Sequence, residues 1–196
     1  MLLSDIDIAK ALVAEKEDDR IVISPIISGK YQFGPSSIDV RLGTDFAILD
    51  NANLSHISTQ KELNAYTRKI RLRPNEVFYL HPMEFALAST LEFIRIPNHL
   101  AARLEGRSSW GRLGLLVHAT AGYIDPGYSG VITFELANAG KVPIGLSPGD
   151  RLGQICFFKM TNKAEVPYGS KTESKYQGAT EVQASRIFRD PEKGSK

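Results

Sequence analysis

Short apolar or alternating runs, each closed by Pro, Gly, Asn or Asp, follow one another along most of this chain and leave little choice of fold. They occupy residues 21–24, 37–42, 46–49, 69–72, 77–80, 84–89, 91–96, 115–118, 130–136 and 151–158. Runs this short read as strands, and turn signals this frequent point to an all-β barrel or sandwich-like fold. A helical period is confined to residues 4 to 15. There Ser4 can cap, Asp5 and Asp7 suit the positive helix end, and Ile8/Leu12 and Ala9/Val13 repeat four apart. Pro97-Asn98 introduces a second short helical piece. Ser108 or Ser109 can cap a third, which Gly114 stops.

At 196 residues the chain fits one domain with a real core. Its net charge of +2 does not predict nucleic-acid binding, but leaves room for a localised anion site. Cys156 is the single cysteine, so no internal disulfide forms; this suits a reducing compartment and a buried, inert thiol. The first residues lack a basic, apolar leader, and no run approaches the roughly eighteen apolar residues of a membrane span. The expected location is the cytoplasm, with no membrane and no nucleic-acid partner. Residues 1–160 carry the strand pattern. From Thr161 onward Lys, Glu, Ser, Gly, Thr and Gln dominate without an apolar period, which reads as a mobile tail. That tail still carries Tyr168, Lys175, Tyr176, Gln177 and Arg186.

Three segments can do chemistry. In Val131-Ile132-Thr133-Phe134-Glu135-Leu136, period-two alternation sets Ile132, Phe134 and Leu136 on one face and Val131, Thr133 and Glu135 on the other. A glutamate inside a core strand must be ion-paired, on an exposed face, neutralised or functional. A partly desolvated glutamate has a raised pKa and can shuttle a proton, typically worth about 10²–10⁴ in rate. Arg107-Ser108-Ser109-Trp110-Gly111-Arg112 combines a helix start with two arginines: an anion site, or a capped surface helix with solvated arginines. Gly122-Tyr123-Ile124-Asp125-Pro126-Gly127 is a turn whose Asp125 can also accept a sugar hydroxyl or hold a water.

Absent patterns narrow the chemistry. His56, His81, His99 and His118 are scattered, and the H-x-E and P-C-x-x-C ligands of zinc nucleobase deaminases are missing. No nucleophile-elbow, P-loop or dinucleotide-binding fingerprint is present. His118, alternating with apolar residues, reads as a structural strand histidine.

These segments, in this order, resemble the dCTP deaminase branch of the trimeric dUTPase superfamily. The likeness includes Ser37-Ile38-Asp39-Val40-Arg41-Leu42-Gly43, Ala88-Ser89-Thr90-Leu91-Glu92 and Glu105-Gly106-Arg107-Ser108-Ser109. It continues through Pro148-Gly149-Asp150-Arg151-Leu152-Gly153-Gln154 and the tail from Pro167 to Gly178. The resemblance implies a distorted jelly-roll barrel (a β-clip) with a short N-terminal helix, assembled as a homotrimer with active sites at subunit interfaces. It implies that Glu135 shuttles the proton as water attacks cytosine C4, without zinc, and that Ser108 and Arg112 orient that water. Arg107 and the 108–111 backbone, including Ser109, Trp110 and Gly111, match the phosphate-binding segment. Asp125 matches the aspartate near the sugar, the Ala121 region matches the backbone that reads the base, and Thr133 and Phe134 precede Glu135 on the substrate-binding strand. Gln154, Tyr168, Lys175 and Gln177 look like triphosphate and lid contacts, so residues 161–196 would close over bound nucleotide. Magnesium is expected on the substrate triphosphate, not in a protein metal site. dCTP and dUTP are the implied substrates, and dTTP a candidate feedback inhibitor. Gly122-Tyr123 resembles the dUMP-forming type, since single-activity bacterial enzymes usually carry His-Arg there. The implied reason is that a small residue leaves room for Asp125 to position a second water. Ala179 departs from that pattern, where relatives often have glutamine.

Overall fold

The computed structural model describes residues 1–50, 54–59, 66–170 and 173–190. Helix α1 (Asp5–Leu12) opens on a capping box: the Ser4 hydroxyl accepts from the Asp7 backbone N–H, and the Asp7 carboxylate accepts from the Ser4 N–H. It ends before Glu15, and of its apolar residues only Ile8 is buried.

Eleven strands follow among the described residues: β1 (Val22–Ser24), β2 (Ser37–Leu49), β3 (Thr67–Arg71), β4 (Phe78–Leu80), β5 (Phe85–Arg95), β6 (Leu100–Gly106), β7 (Leu115–Leu116), β8 (Tyr123–Ile124), β9 (Ser129–Asn138), β10 (Ile144–Leu146) and β11 (Arg151–Lys159). The main sheet runs β7-β9-β5-β2-β11-β6-β8, with β1 on β5 and β3 on β2, while β4 and β10 form a separate pair. The pairings between these strands are antiparallel. The result is a mostly-β half-barrel with few helices.

Two expected pairs of strands are single long ones. β2 pairs β11 through residues 37–41 and then serves β5 and β3, with its register shifting between Leu42 and Phe46. Gly43 permits that bend: a Cβ there would lie 2.8 Å from Ser89 Oγ and 3.0 Å from the Ser89 carbonyl oxygen. β5 likewise runs unbroken through residues 85–95, shifting register between Ser89 and Phe93.

The helix expected after Pro97-Asn98 does not form. Leu100 N–H closes a turn on the Pro97 carbonyl at 3.1 Å, and the chain enters β6, paired along its length with β11. Ala101, Ala102, Leu104 and Glu105 are tolerable helix formers, but the place for Leu100, Ala102 and Leu104 in the core decides the conformation. A short helix not expected from the sequence, α2 (Gly29–Gln32), carries Gln32 into a buried polar cluster. Its amide donates to Glu92 Oε1 at 3.1 Å, and Arg41 Nη1 lies 3.2 Å from the same oxygen. Glu92 is fully buried, and burial raises its pKa against the pull of Arg41.

The described part of the tail lies on the sheet. Ala179 bridges Gly130 in parallel, the Val131 N–H donates to the Ala179 carbonyl at 2.8 Å, and Val182 and Ala184 are buried. The lack of a regular apolar period hid these three anchors.

Candidate active site

A cavity of about 580 Å³ opens against β9, β8 and the tail. Of the residues singled out from sequence, Glu135, Thr133, Asp125, Ala121, Tyr168 and Lys175 line it. β9 presents Thr133 and Glu135 half-buried, while Phe134, 0% exposed, points into the core, as alternation on the strand requires. Glu135 is fixed from two sides. Its backbone N–H donates to the Val117 carbonyl at 2.9 Å, and its Oε2 accepts from the Ala119 N–H at 2.7 Å. The carboxylate is thus aimed by the chain between β7 and β8, and among the described residues no basic side chain pairs with it.

Asp125 is exposed at the start of a turn in which the Tyr128 N–H donates to the Asp125 carbonyl at 3.2 Å. Gly127 closes that turn at φ +86°; a Cβ there would meet Pro167 and the Tyr168 carbonyl below 3 Å. The Tyr128 hydroxyl donates to the Val131 carbonyl at 2.6 Å, and burial pushes its phenol well above the usual range. Gly122 has a use that the sequence did not disclose. The Leu104 N–H donates to its carbonyl, and a Cβ on it would sit 2.7 Å from the Leu104 carbonyl oxygen and 3.4 Å from His118 Nε2. The space saved at Gly122 therefore lies toward β6 and His118.

The tail is moored to this turn. The Tyr168 N–H donates to the Pro126 carbonyl at 2.8 Å, and the Gln177 carboxamide bridges the Ser129 N–H and the Gly127 carbonyl, both at 3.1 Å. Gln177 thus serves as a mooring and is not among the cavity-lining residues. Lys175 lines the cavity and pairs with Asp190 in the same tail.

The other expected site residues lie elsewhere. None of Arg107, Ser108, Ser109, Trp110, Gly111, Arg112 or Gln154 lines the cavity. Helix α3 (Ser108–Gly111) is only four residues long; Arg107 is its N-cap, no side chain caps it, and Ser108 and Ser109 are its first exposed residues rather than caps. The reason is register: β6 stays extended through Gly106 and its chain direction persists to Arg107 (φ −78°, ψ 131°). Gly114, at φ +91°, ends this turn as expected. Arg112 is exposed, the Trp110 indole donates to the Arg151 carbonyl at 2.8 Å, and Gln154 accepts from the Ser37 hydroxyl at 3.1 Å.

Asp39, on β2, organises this second cluster. Its Oδ2 lies 3.1 Å from Arg107 Nε and 3.1 Å from Arg151 Nη1. Burial raises the Asp39 pKa, against the pull of Arg107, Arg151 and Arg41. The signal for Asp39 in the sequence is a carboxylate amid the apolar residues of 37–42. Gln183, Phe85 and Leu87 also line the cavity and were not anticipated.

A family model for dCTP deaminase-like proteins matches residues 2–160. A "dCTP deaminase, dUMP-forming" of Streptomyces griseus subsp. griseus is 50% identical over 191 residues, 97% of either chain. One of Mycobacterium sp. (strain KMS), with the same description, is 49% identical, again over 97% of both chains. A "dCTP deaminase" of Natronomonas pharaonis is 45% identical over 99% of this chain and 98% of its own. Among solved structures, the 2'-deoxycytidine 5'-triphosphate deaminase from Agrobacterium tumefaciens superposes with a TM-score of 0.62 at 22% identity, over 81% of this chain. This chain spans about half of that structure's length, 48%, and the likeness is one of fold.

Proposed function

The chain belongs to the dCTP deaminase-like family, and from that premise we propose that it is a dUMP-forming dCTP deaminase. The reaction is dCTP and two waters to dUMP, diphosphate and ammonia. The observation that carries this reading is Glu135, a carboxylate in the cavity wall, aimed by the Ala119 N–H, in a chain half identical to dUMP-forming relatives over nearly its full length.

Glu135 takes a proton from a water whose oxygen bonds to cytosine C4. It returns protons to the C4 amine, the C4–N bond breaks, and ammonia leaves as the C4 carbonyl forms. Thr133 borders the same wall, and Asp125, exposed at the cavity edge, is placed to hold the second water that attacks the α-phosphate. Ser108, Arg112 and Arg107 are the water-orienting and phosphate-gripping groups in this reading. Their position outside the cavity of their own chain is what a homotrimer with shared sites needs, with the half-barrel completed as a jelly-roll β-clip. Residues 161–196 act as the lid, using the moorings at Tyr168 and Gln177. Among the described residues no three carboxylate, histidine or cysteine groups gather to hold a metal. Magnesium bound by the triphosphate would neutralise phosphate charge beside Lys175 and the arginines.

The test is product analysis. Incubation with dCTP and magnesium is expected to yield dUMP, diphosphate and ammonia in equal amounts, resolved by ion-exchange chromatography. dUTP as the sole accumulating product would overturn the dUMP-forming assignment, and no ammonia at all would overturn the deaminase.

A further inference from the structure

Among the described residues the carboxamide oxygen of Gln183 is buried without a hydrogen-bond partner, and its side chain lines the cavity that holds Glu135. Its neighbours fix it there. Val182 and Ala184 are 1% and 8% exposed, anchored in the body of the protein, and Glu181 pairs with Lys69 at 2.6 Å. Gln183 and Ser185, which alternate with those two buried residues, line the cavity. A buried acceptor without a donor costs free energy, which a methionine or leucine at the same place would avoid. Packing alone therefore does not account for the amide; a donor arriving in the cavity does.

We infer that Gln183 is a substrate-binding residue whose Oε1 accepts a hydrogen bond from an N–H or O–H group of the bound nucleotide, an inference that rests on reading this cavity as the nucleotide site. The phosphates are ruled out as its partner, because ionised phosphate oxygens only accept, and Lys175 in the same tail suits them. Two donors remain: the amine on cytosine C4 and the sugar 3'-hydroxyl. If the amine is the donor, Gln183 also discriminates cytosine from uracil, whose C4 oxygen would face the carboxamide oxygen acceptor to acceptor.

Binding measured by calorimetry on Glu135→Gln protein, which blocks deamination, with ligands whose α,β-bridge is a non-hydrolysable imido group, which blocks triphosphate hydrolysis, separates these cases. The ligands are dCTP, dUTP (no C4 amine) and 2',3'-dideoxycytidine triphosphate (no 3'-hydroxyl). Adding Gln183→Met is expected to raise the Kd for dCTP about tenfold while leaving one of the two analogues within about twofold of the parent. The insensitive analogue identifies the missing donor. Gln183→Leu repeats the test should methionine repack the wall, and melting curves confirm that each protein is folded. Equal shifts for all three ligands, or none for any, would overturn the role of Gln183 while leaving the nucleotide site standing. A parent protein that does not bind dCTP would overturn the reading of the cavity itself, and this inference with it.

Discussion

The cavity on β9 and the cluster around Arg107 are built in opposite ways. The first is concave, with Glu135 aimed by backbone groups and walls supplied by the tail. The second is a surface turn, with Ser108, Ser109 and Arg112 exposed and Arg107 tied to a buried carboxylate. A proton shuttle needs a sheltered carboxylate, whereas groups that reach across to another molecule must project. The contrast teaches that, in the proposed reading with sites shared between copies, the two clusters would supply different halves of a site, and that neither cluster contains the other's chemistry.

The largest effect is expected at the concave half. Glu135→Gln keeps the shape and an acceptor for the Ala119 N–H but removes the proton shuttle. Ammonia release from dCTP should fall by about 10³-fold or more, with dCTP binding kept. Near-normal turnover would remove Glu135 from the mechanism and leave the cavity without its acid–base group.

The next test joins the halves. Glu135→Gln and Ser108→Ala should each be inactive alone. If sites are shared between copies, unfolding and refolding an equal mixture should restore about a quarter of wild-type turnover, since one site in four draws an intact half from each variant. Without recovery, each chain must complete its own site, and the separation of the two clusters would need another explanation.

Legibility followed the range of the interactions. Alternation on 131–136 was enough to place Thr133 and Glu135 on one face and Phe134 in the core, because strand geometry alone decides it. The capping box of α1 was equally local. β6 was missed because its residues favour a helix as readily as a strand, and only pairing with β11 settles the matter. Breaks expected at 43–45 and at Thr90 are bends inside long strands, since Gly43 and the register shifts act through neighbours the sequence does not name. Ser108 or Ser109 was expected as a cap from residue type, but the persistence of β6 gives that place to Arg107. Nothing local marks Gln183: its buried oxygen exists only because Ala179, Val182 and Ala184 dock the tail.

The smallest effect belongs to the projecting half. Asp39 touches no expected reacting atom; it positions Arg107 and Arg151. Asp39→Asn keeps an acceptor but weakens both charge-assisted contacts, so KM for dCTP should rise about tenfold while kcat changes little. A fall in kcat at unchanged KM would detach Asp39 from substrate gripping. Its titration gives an independent check. Burial raises the Asp39 pKa above 3.8, so the folded protein binds this proton more tightly than the unfolded chain. The stability that Asp39 contributes by binding this proton is full below its unfolded pKa and is lost as pH rises through the folded one. Asparagine lacks that slope. Any melting-temperature deficit of Asp39→Asn against wild type should therefore shrink from about pH 4 to pH 7 by scanning calorimetry. A deficit that grows with pH would mean that the pull of Arg107 and Arg151, not burial, governs the Asp39 carboxylate.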